Sequence, residues 1–429
     1  MNWLTTKSYL TARNLAWLAG VMLVFWAPFW GEQRLPILVL LGVGIFLHVV
    51  SSRASRRLLP EGQAERRWGV IFLLLWIPCL LATPFSYHPQ GSLTLCLVLM
   101  LHYWVGIALL HGLRQPGHVY AARAIGLTLL FWTLDGFIQF GFGRDLFGMP
   151  LDTTEMRVTG PFDGNLHMGL FIVVLMPLLL WPLAKTRPWT AMLLLIPLGA
   201  ISAMAGARTN MVFVILVALA LMFRLPTWKH RFALLLLSLS PALVIPLSPV
   251  LQSRIQVSAT ALSGESGQKE QTLFEKLDTV SSGRMILWES AGYMLKAHPL
   301  TGVGPAAFDT AYPKFVTRPN DPFRNPNADG KYAYHAHHMY VSIAAETGLI
   351  GLAAFLAAIA LIVRWYRQAA PHARAAANPY MVSLGVIAFP INSQPVLYSG
   401  WWFPIVLLLL CGMLAALEHA EDTPKPPPE

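Results

Sequence analysis

A chain of 429 residues that is 55% hydrophobic and only 12% charged, with a mean hydropathy of +0.53, carries more apolar surface than one soluble core can hide, so lipid is the solvent for most of it. The net charge is +10, and the three cysteines, Cys79, Cys96 and Cys411, each lie inside an apolar run, so no disulfide framework or metal cluster follows from them, and no nucleic-acid partner is expected.

Twelve membrane spans are predicted, at about 14–30, 35–51, 68–85, 92–113, 120–141, 166–184, 189–206, 210–224, 232–250, 337–363, 379–392 and 400–418, each close to the length needed to cross a hydrocarbon core of about 30 Å. The fold class is therefore an all-α polytopic membrane protein. The first run lacks a small-residue cleavage site and is followed at once by a second, so it reads as a retained span. An even count puts both termini on one side. With the N-terminus in the cytoplasm, eighteen of the 31 lysines and arginines fall on the inner side. Only Arg34, Arg144, Arg157 and Arg208 lie in short outer loops, a positive-inside bias that sets the orientation.

The remaining basic residues belong to one long outer connection. Residues 1–250 thus hold spans one to nine, 251–336 a large periplasmic-side loop with short helices, 337–418 spans ten to twelve, and 419–429 a cytoplasmic tail. Within the loop, Ser281-Ser282-Gly283 supplies an N-cap signal for a helix over 284–296, and His298-Pro299 ends it. Long loops of this kind are usually functional.

Four outer-level stretches carry candidate chemistry. The first is the loop from Arg157 to Asn165. The second is the turn Gly206-Ala207-Arg208-Thr209-Asn210. The third is Gly283-Arg284, opening the loop helix, with Gly302-Val303-Gly304-Pro305 after it. The fourth is Tyr334-His335-Ala336-His337-His338-Met339-Tyr340 at the mouth of span ten. A guanidinium at the end of a membrane helix is costly unless it reaches water or an anion, and its planar fork matches phosphate oxygens. Each arginine alone reads equally well as a snorkelling interfacial residue. An isolated His reads as an anchor at headgroup level. Three arginines at one level with three histidines favour an anion site beside an imidazole. Glu346 lies nine residues beyond His337, about 180° round a helix and about 13 Å deeper. It is expected to pair with a neighbouring span, with Gly348 and Gly351 allowing close helix approach. Asp135 in span five stands evenly between structure and function. No metal-ligand spacing and no phosphate-binding glycine loop occurs, so no metal or other cofactor is expected.

These residues carry a resemblance. Ser282-Gly283-Arg284 with Trp288, the run His298-Pro299-Leu300-Thr301-Gly302-Val303-Gly304-Pro305, and His337 followed by Tyr340, Glu346, Gly348 and Gly351 resemble the O-antigen ligase superfamily. That superfamily also holds O-antigen polymerases and bacterial O-linked oligosaccharyltransferases. The twelve-span layout with its large loop between spans nine and ten fits too. Two positions depart from the family pattern: Ala207 where Ser often precedes the arginine, and His338 where Asn often follows the histidine.

The resemblance implies a GT-C-like glycosyltransferase of the bacterial inner membrane, with both termini cytoplasmic and the active site periplasmic. Its donor would be a polysaccharide on undecaprenyl diphosphate and its acceptor lipid A-core, with no metal needed. It implies His337 as the catalytic residue and Arg208 and Arg284 as diphosphate ligands, to which Arg157 is added by its level. His338, Asn165 and Tyr340 are expected to support them, and Glu346, Gly348 and Gly351 to be structural. The chain's short end after span twelve favours a ligase over a protein-modifying transferase, with a polymerase as the alternative. A secondary transporter would show two matching six-span halves, whereas here the connection between spans six and seven is only Lys185 to Pro188.

Overall fold

The computed structural model describes residues 3–29, 33–55, 62–152, 156–162, 167–263, 272–319, 321–327, 330–394 and 397–419. Among these the chain is helical. A first bundle comprises α1 (Trp3–Phe25), α2 (Arg34–Ser55), α3 (Gln63–Ala82), α4 (Pro89–Leu113), α5 (Gly117–Phe142), α6 (His167–Thr186), α7 (Pro188–Met204), α8 (Arg208–Met222) and α9 (Trp228–Leu237). Four shorter helices follow: α10 (Pro249–Ser263), α11 (Leu273–Ser281), α12 (Arg284–Ala297) and α13 (Phe308–Phe315). The chain then returns through α14 (Met339–Gln368), α15 (Pro371–Ala388) and α16 (Trp402–His419).

Among the described residues, seven helical stretches are long and apolar enough to cross a membrane, including α14 and the pair formed by α9 with a 3-10 segment over Ser240–Leu247. Shorter apolar helices lie at Arg34–Val50, Pro188–Met204, Arg208–Met222 and Trp402–Glu418. α15 falls in neither group, because its first half, Pro371-His372-Ala373-Arg374 onward, is polar and alanine-rich. Three expected boundaries change. The ninth run changes after α9 into the 3-10 segment, which contains Pro241 and Pro246. Arg208 is the first residue of α8 and not part of a turn. The tenth run begins at Met339, leaving His337 outside the helix.

α6 is the bundle's axis. Its residues from Met168 to Leu178 are all buried, as expected for a helix apolar on every side, and it packs on α5, α7, α8 and α15. Outward-facing leucines such as Leu38, Leu127 and Leu193 are exposed, as expected for side chains whose solvent is lipid. At one end Arg114 binds Glu65 (2.7 Å) and Glu418 (2.8 Å), fastening α3, α4 and α16. At the other end α5 holds the following loop: Gln139 Oε1 accepts the N–H groups of Thr159 (2.9 Å) and Gly160 (2.8 Å), and Asp135 Oδ1 accepts that of Leu146 (2.8 Å). The structural reading of Asp135 is the one the geometry fits.

The connection between α10 and α14 has its own small core, built from Leu287, Ala291, Met294, Val303, Phe308, Tyr312 and Ala336. It is locked onto α14 through backbone. The N–H groups of Val303 and Gly304 donate to the carbonyls of Ala345 and Glu346 (both 2.9 Å), and Leu349 N–H donates to Pro299 (2.8 Å). The helix opens to receive the loop at Gly348, whose φ of +66° and ψ of −165° lie outside helical space. A Cβ there would stand 2.3 Å from the Leu300 carbonyl. Gly348 therefore admits a loop and not a neighbouring helix. At Gly351 the atoms nearest a potential Cβ are Thr347 Oγ1 (1.9 Å) and Cβ (2.4 Å) of its own helix, whereas Pro78 Cβ on α3 is at 3.6 Å, an ordinary contact. Glu346 turns to the same loop, where it bonds the backbone amides of Ala306 and Phe308. Its expected partner, a neighbouring span, is replaced by loop backbone because the kink brings those amides to it.

Gly348→Ala is expected to lower the melting temperature of the purified protein. A glycine-only conformation costs about 1–3 kcal/mol to impose on another residue, and the Leu300 clash adds to it. An unchanged melting temperature would show that loop and helix are not locked there.

Candidate functional site

Gly206, with φ +84°, turns the chain between α7 and α8. Having no side chain, it lets Arg157 lie across the turn: a Cβ at Gly206 would be 3.0 Å from Arg157 Cδ and Nε. From the other side Arg254 on α10 donates from Nη1 to the Gly206 carbonyl (3.1 Å). Arg208, just beyond, donates from Nη1 to the Arg254 carbonyl (3.2 Å) and Ser258 Oγ. Its Nη2 reaches the Val280 carbonyl (2.9 Å) and Ser282 Oγ (3.0 Å). The Arg208 fork thus fastens α10 and the end of α11 to α8.

Ser282 and Gly283 are both left-handed, at φ +61° and +80°. Ser282 closes α11 and Gly283 opens α12 with no side-chain cap. The expected serine N-cap is absent because Gly283 occupies the cap position, and Ser282, which closes α11, accepts from Arg208 instead. This double turn places Arg284 as the first residue of α12, half-buried. Burial, and then the charges of Arg208 and Arg254, push the Arg284 guanidinium below its usual range. Three cations meet here, and among the described residues Arg284 has no acidic partner. Such a group is suited to holding an anion.

The histidines stand on the other side of Arg284. Trp288, one turn along α12, donates from Nε1 to the Ala336 carbonyl (3.0 Å) and sets its ring edge-on to His338 (5.2 Å). His337 is held at φ +48°, a conformation few non-glycine residues adopt and one that marks functional sites when the surroundings impose it. Its N–H donates to His335 Nδ1 (3.0 Å), and the two rings lie 4.1 Å apart. Burial, with Arg284 as the second cause, holds His337 down at about 4. Burial first, then repulsion from His337 and His167 in their protonated forms and from the Arg284 guanidinium, holds His335 at about 3. Both are neutral imidazoles at pH 7.

His338 is different. Its Nδ1 accepts Val341 N–H (3.4 Å) as the N-cap of α14, and its ring also bonds the Pro390 backbone. It is the residue at the helix mouth, the place expected for His337. Tyr340 donates to the Ala388 carbonyl (2.6 Å) and packs on Phe355, so it braces α14 against α15. Asn165 lies outside the described residues.

The structure thus gathers Arg208, Arg284 and His337, with Arg157 beneath the same turn. It adds two residues not singled out from sequence. Arg254 was hidden among the basic residues of the long loop, although it follows directly on an apolar run. His167 opens α6, stacked on Trp401 (4.7 Å), and is near enough that its protonation would oppose that of His335. Among the described residues no three His, Cys, Asp or Glu side chains are grouped to hold a metal ion.

At one end of this helical membrane protein's bundle an arginine cluster lies beside neutral imidazoles, an arrangement that can hold an anion next to a proton acceptor. The family model described as O-antigen ligase matches residues 190–356, which places this segment, with Arg208, Arg254, Arg284 and all three histidines, in the O-antigen ligase superfamily. No curated protein matches the chain.

Proposed function

We propose that the protein transfers a polysaccharide from undecaprenyl diphosphate to lipid A-core at the periplasmic face of the bacterial inner membrane, as a metal-independent, inverting, GT-C-like O-antigen ligase. The observation that carries this reading is Arg284, cationic, half-buried and flanked by cations, beside the neutral ring of His337 within the family match. In this reading the chain crosses the membrane twelve times with both termini inside. Residues 1–250 and 337–418 form the scaffold, 251–336 the periplasmic loop, and 419–429 the tail.

Arg284 receives the diphosphate, with Arg208 and Arg157 at its border. As the bond from the anomeric carbon to the phosphate oxygen breaks, negative charge grows on the leaving diphosphate, where preorganised guanidinium groups stabilise it. The acceptor hydroxyl attacks from the opposite face and gives its proton to His337. His338 and Tyr340 keep the histidine loop in place, and Glu346, Gly348 and Gly351 keep the periplasmic loop seated on α14.

The test is reconstitution: purified protein with a lipid-linked glycan, offered lipid A-core, a second lipid-linked glycan or an acceptor protein in separate reactions, with products weighed by mass spectrometry. Glycan on lipid A-core, formed equally well in excess EDTA, is the expected result. Elongated lipid-linked glycan would reassign the protein as a polymerase, and glycan on the protein acceptor would reassign it as an oligosaccharyltransferase. Activity lost in EDTA and restored by a divalent ion would overturn the metal-free mechanism.

A further inference from the structure

The helix ends remote from the arginine–histidine site enclose a cavity of about 500 Å³ between α5, α6, α15 and the residues that follow α8. Arg123, at its wall, lies sixteen residues before Gln139 on α5, or about 24 Å along the helix. Most of the wall is apolar, with Leu178, Leu179, Trp181 and Pro379 prominent. Arg123 and Arg224 also line it, and no Asp or Glu does. The Arg224 guanidinium stands 6.0 Å over the Trp181 ring. Two donors on these residues, Arg224 Nε and Trp181 Nε1, are buried with no hydrogen-bond partner among the described residues, and Trp181 is only 7% exposed.

We propose that this cavity binds an anionic membrane phospholipid, with its phosphodiester at Arg123 and Arg224 and one acyl chain along Leu178, Leu179 and Pro379. Three features select this occupant. Two arginines without an acid call for an anion, and a guanidinium fork suits phosphate oxygens. A free phosphate would satisfy them but leave the apolar wall empty. A zwitterionic lipid would fill the wall but bring its own cation towards the arginines. Basic pockets between membrane helices on the cytoplasmic side are a known setting for anionic headgroups, and the volume lies within the range of ligand sites, about 300–1,000 Å³. The site is independent of the transfer chemistry. α6 connects the two, with His167 at one end and Trp181 near the other.

Detergent-purified protein should be titrated with phosphatidylglycerol, phosphatidylethanolamine and inorganic phosphate, with binding read by native mass spectrometry and by thermal shift. Phosphatidylglycerol is expected to give a one-to-one adduct and a raised melting temperature, and the other two neither. Arg123→Gln with Arg224→Gln should weaken the adduct at least tenfold. Lys185→Gln with Arg187→Gln, which removes charge near this end of the bundle but outside the cavity, should leave it intact. Ala376→Phe fills the cavity while keeping both arginines and should also abolish the adduct, so the test survives if the double arginine variant does not fold. Equal binding of phosphatidylethanolamine, the same thermal shift from phosphate, or a normal adduct in Ala376→Phe would overturn the proposal.

Discussion

Arg284→Gln is expected to cut turnover of a lipid-linked donor about 10- to 100-fold, since a charge-assisted hydrogen bond contributes about 1.5–3 kcal/mol and each 1.36 kcal/mol is tenfold in rate. The same change should leave the melting temperature unchanged or raise it. Burial and the nearby charges of Arg208 and Arg254 already work against the Arg284 cation, so its removal relieves repulsion in the absence of substrate. Strain retained at a site where function needs it is the usual trade between stability and activity. Arg208→Ala should behave otherwise. Its fork holds Arg254, Ser258, Val280 and Ser282, so activity and melting temperature should fall together as α10 and α11 loosen. Arg284→Lys should recover activity only in part, because an ammonium cannot reproduce the planar fork. A melting temperature that drops in Arg284→Gln with turnover intact would make Arg284 a structural residue and sink the diphosphate assignment.

Much of the fold was legible because its signals are local. Apolar runs, interrupting prolines and the polar stretch after Leu251 each sit within a few residues, and helices lie where those runs are. What was not legible depends on contacts across long separations. Arg208 reads from sequence as an open fork, yet its partners lie 46 to 74 residues away. The helical wheel placed His337 and Glu346 on one continuous helix. His338 instead caps α14, because its own Nδ1 can accept a helix N–H, and the kink at Gly348 turns the following helix to admit a loop. The glycines of Thr301-Gly302-Val303-Gly304 and Gly348 were visible as motifs. Their physical reason, two backbones hydrogen-bonded closer than any side chain allows, needed both segments in place.

His337→Gln is expected to retain less than about a tenth of wild-type turnover, within the 10²–10⁴ that general-base assistance contributes. Glutamine can still donate a hydrogen bond to phosphate but cannot take a proton, so this change separates a base from a phosphate ligand. His338→Asn is the matched control. Asparagine preserves an N-cap, so turnover should stay within a few-fold of wild type. The pH profile carries the sign. Burial and Arg284 hold His337 at about 4 in the free protein, so kcat/KM, which reports the free enzyme, should fall only as the pH drops through about 4 and not near the ordinary 6.5. A bound diphosphate brings negative charge next to the ring and offsets the Arg284 field, which favours imidazolium and raises the pKa. The acid limb of kcat, which reports the complex, should therefore lie at higher pH than that of kcat/KM. The substrate would thus convert a neutral but weak base into a stronger one at the moment of transfer. If both limbs coincide, or if His337→Gln keeps more than a tenth of turnover, proton abstraction by His337 is wrong and only a positioning role is left to it.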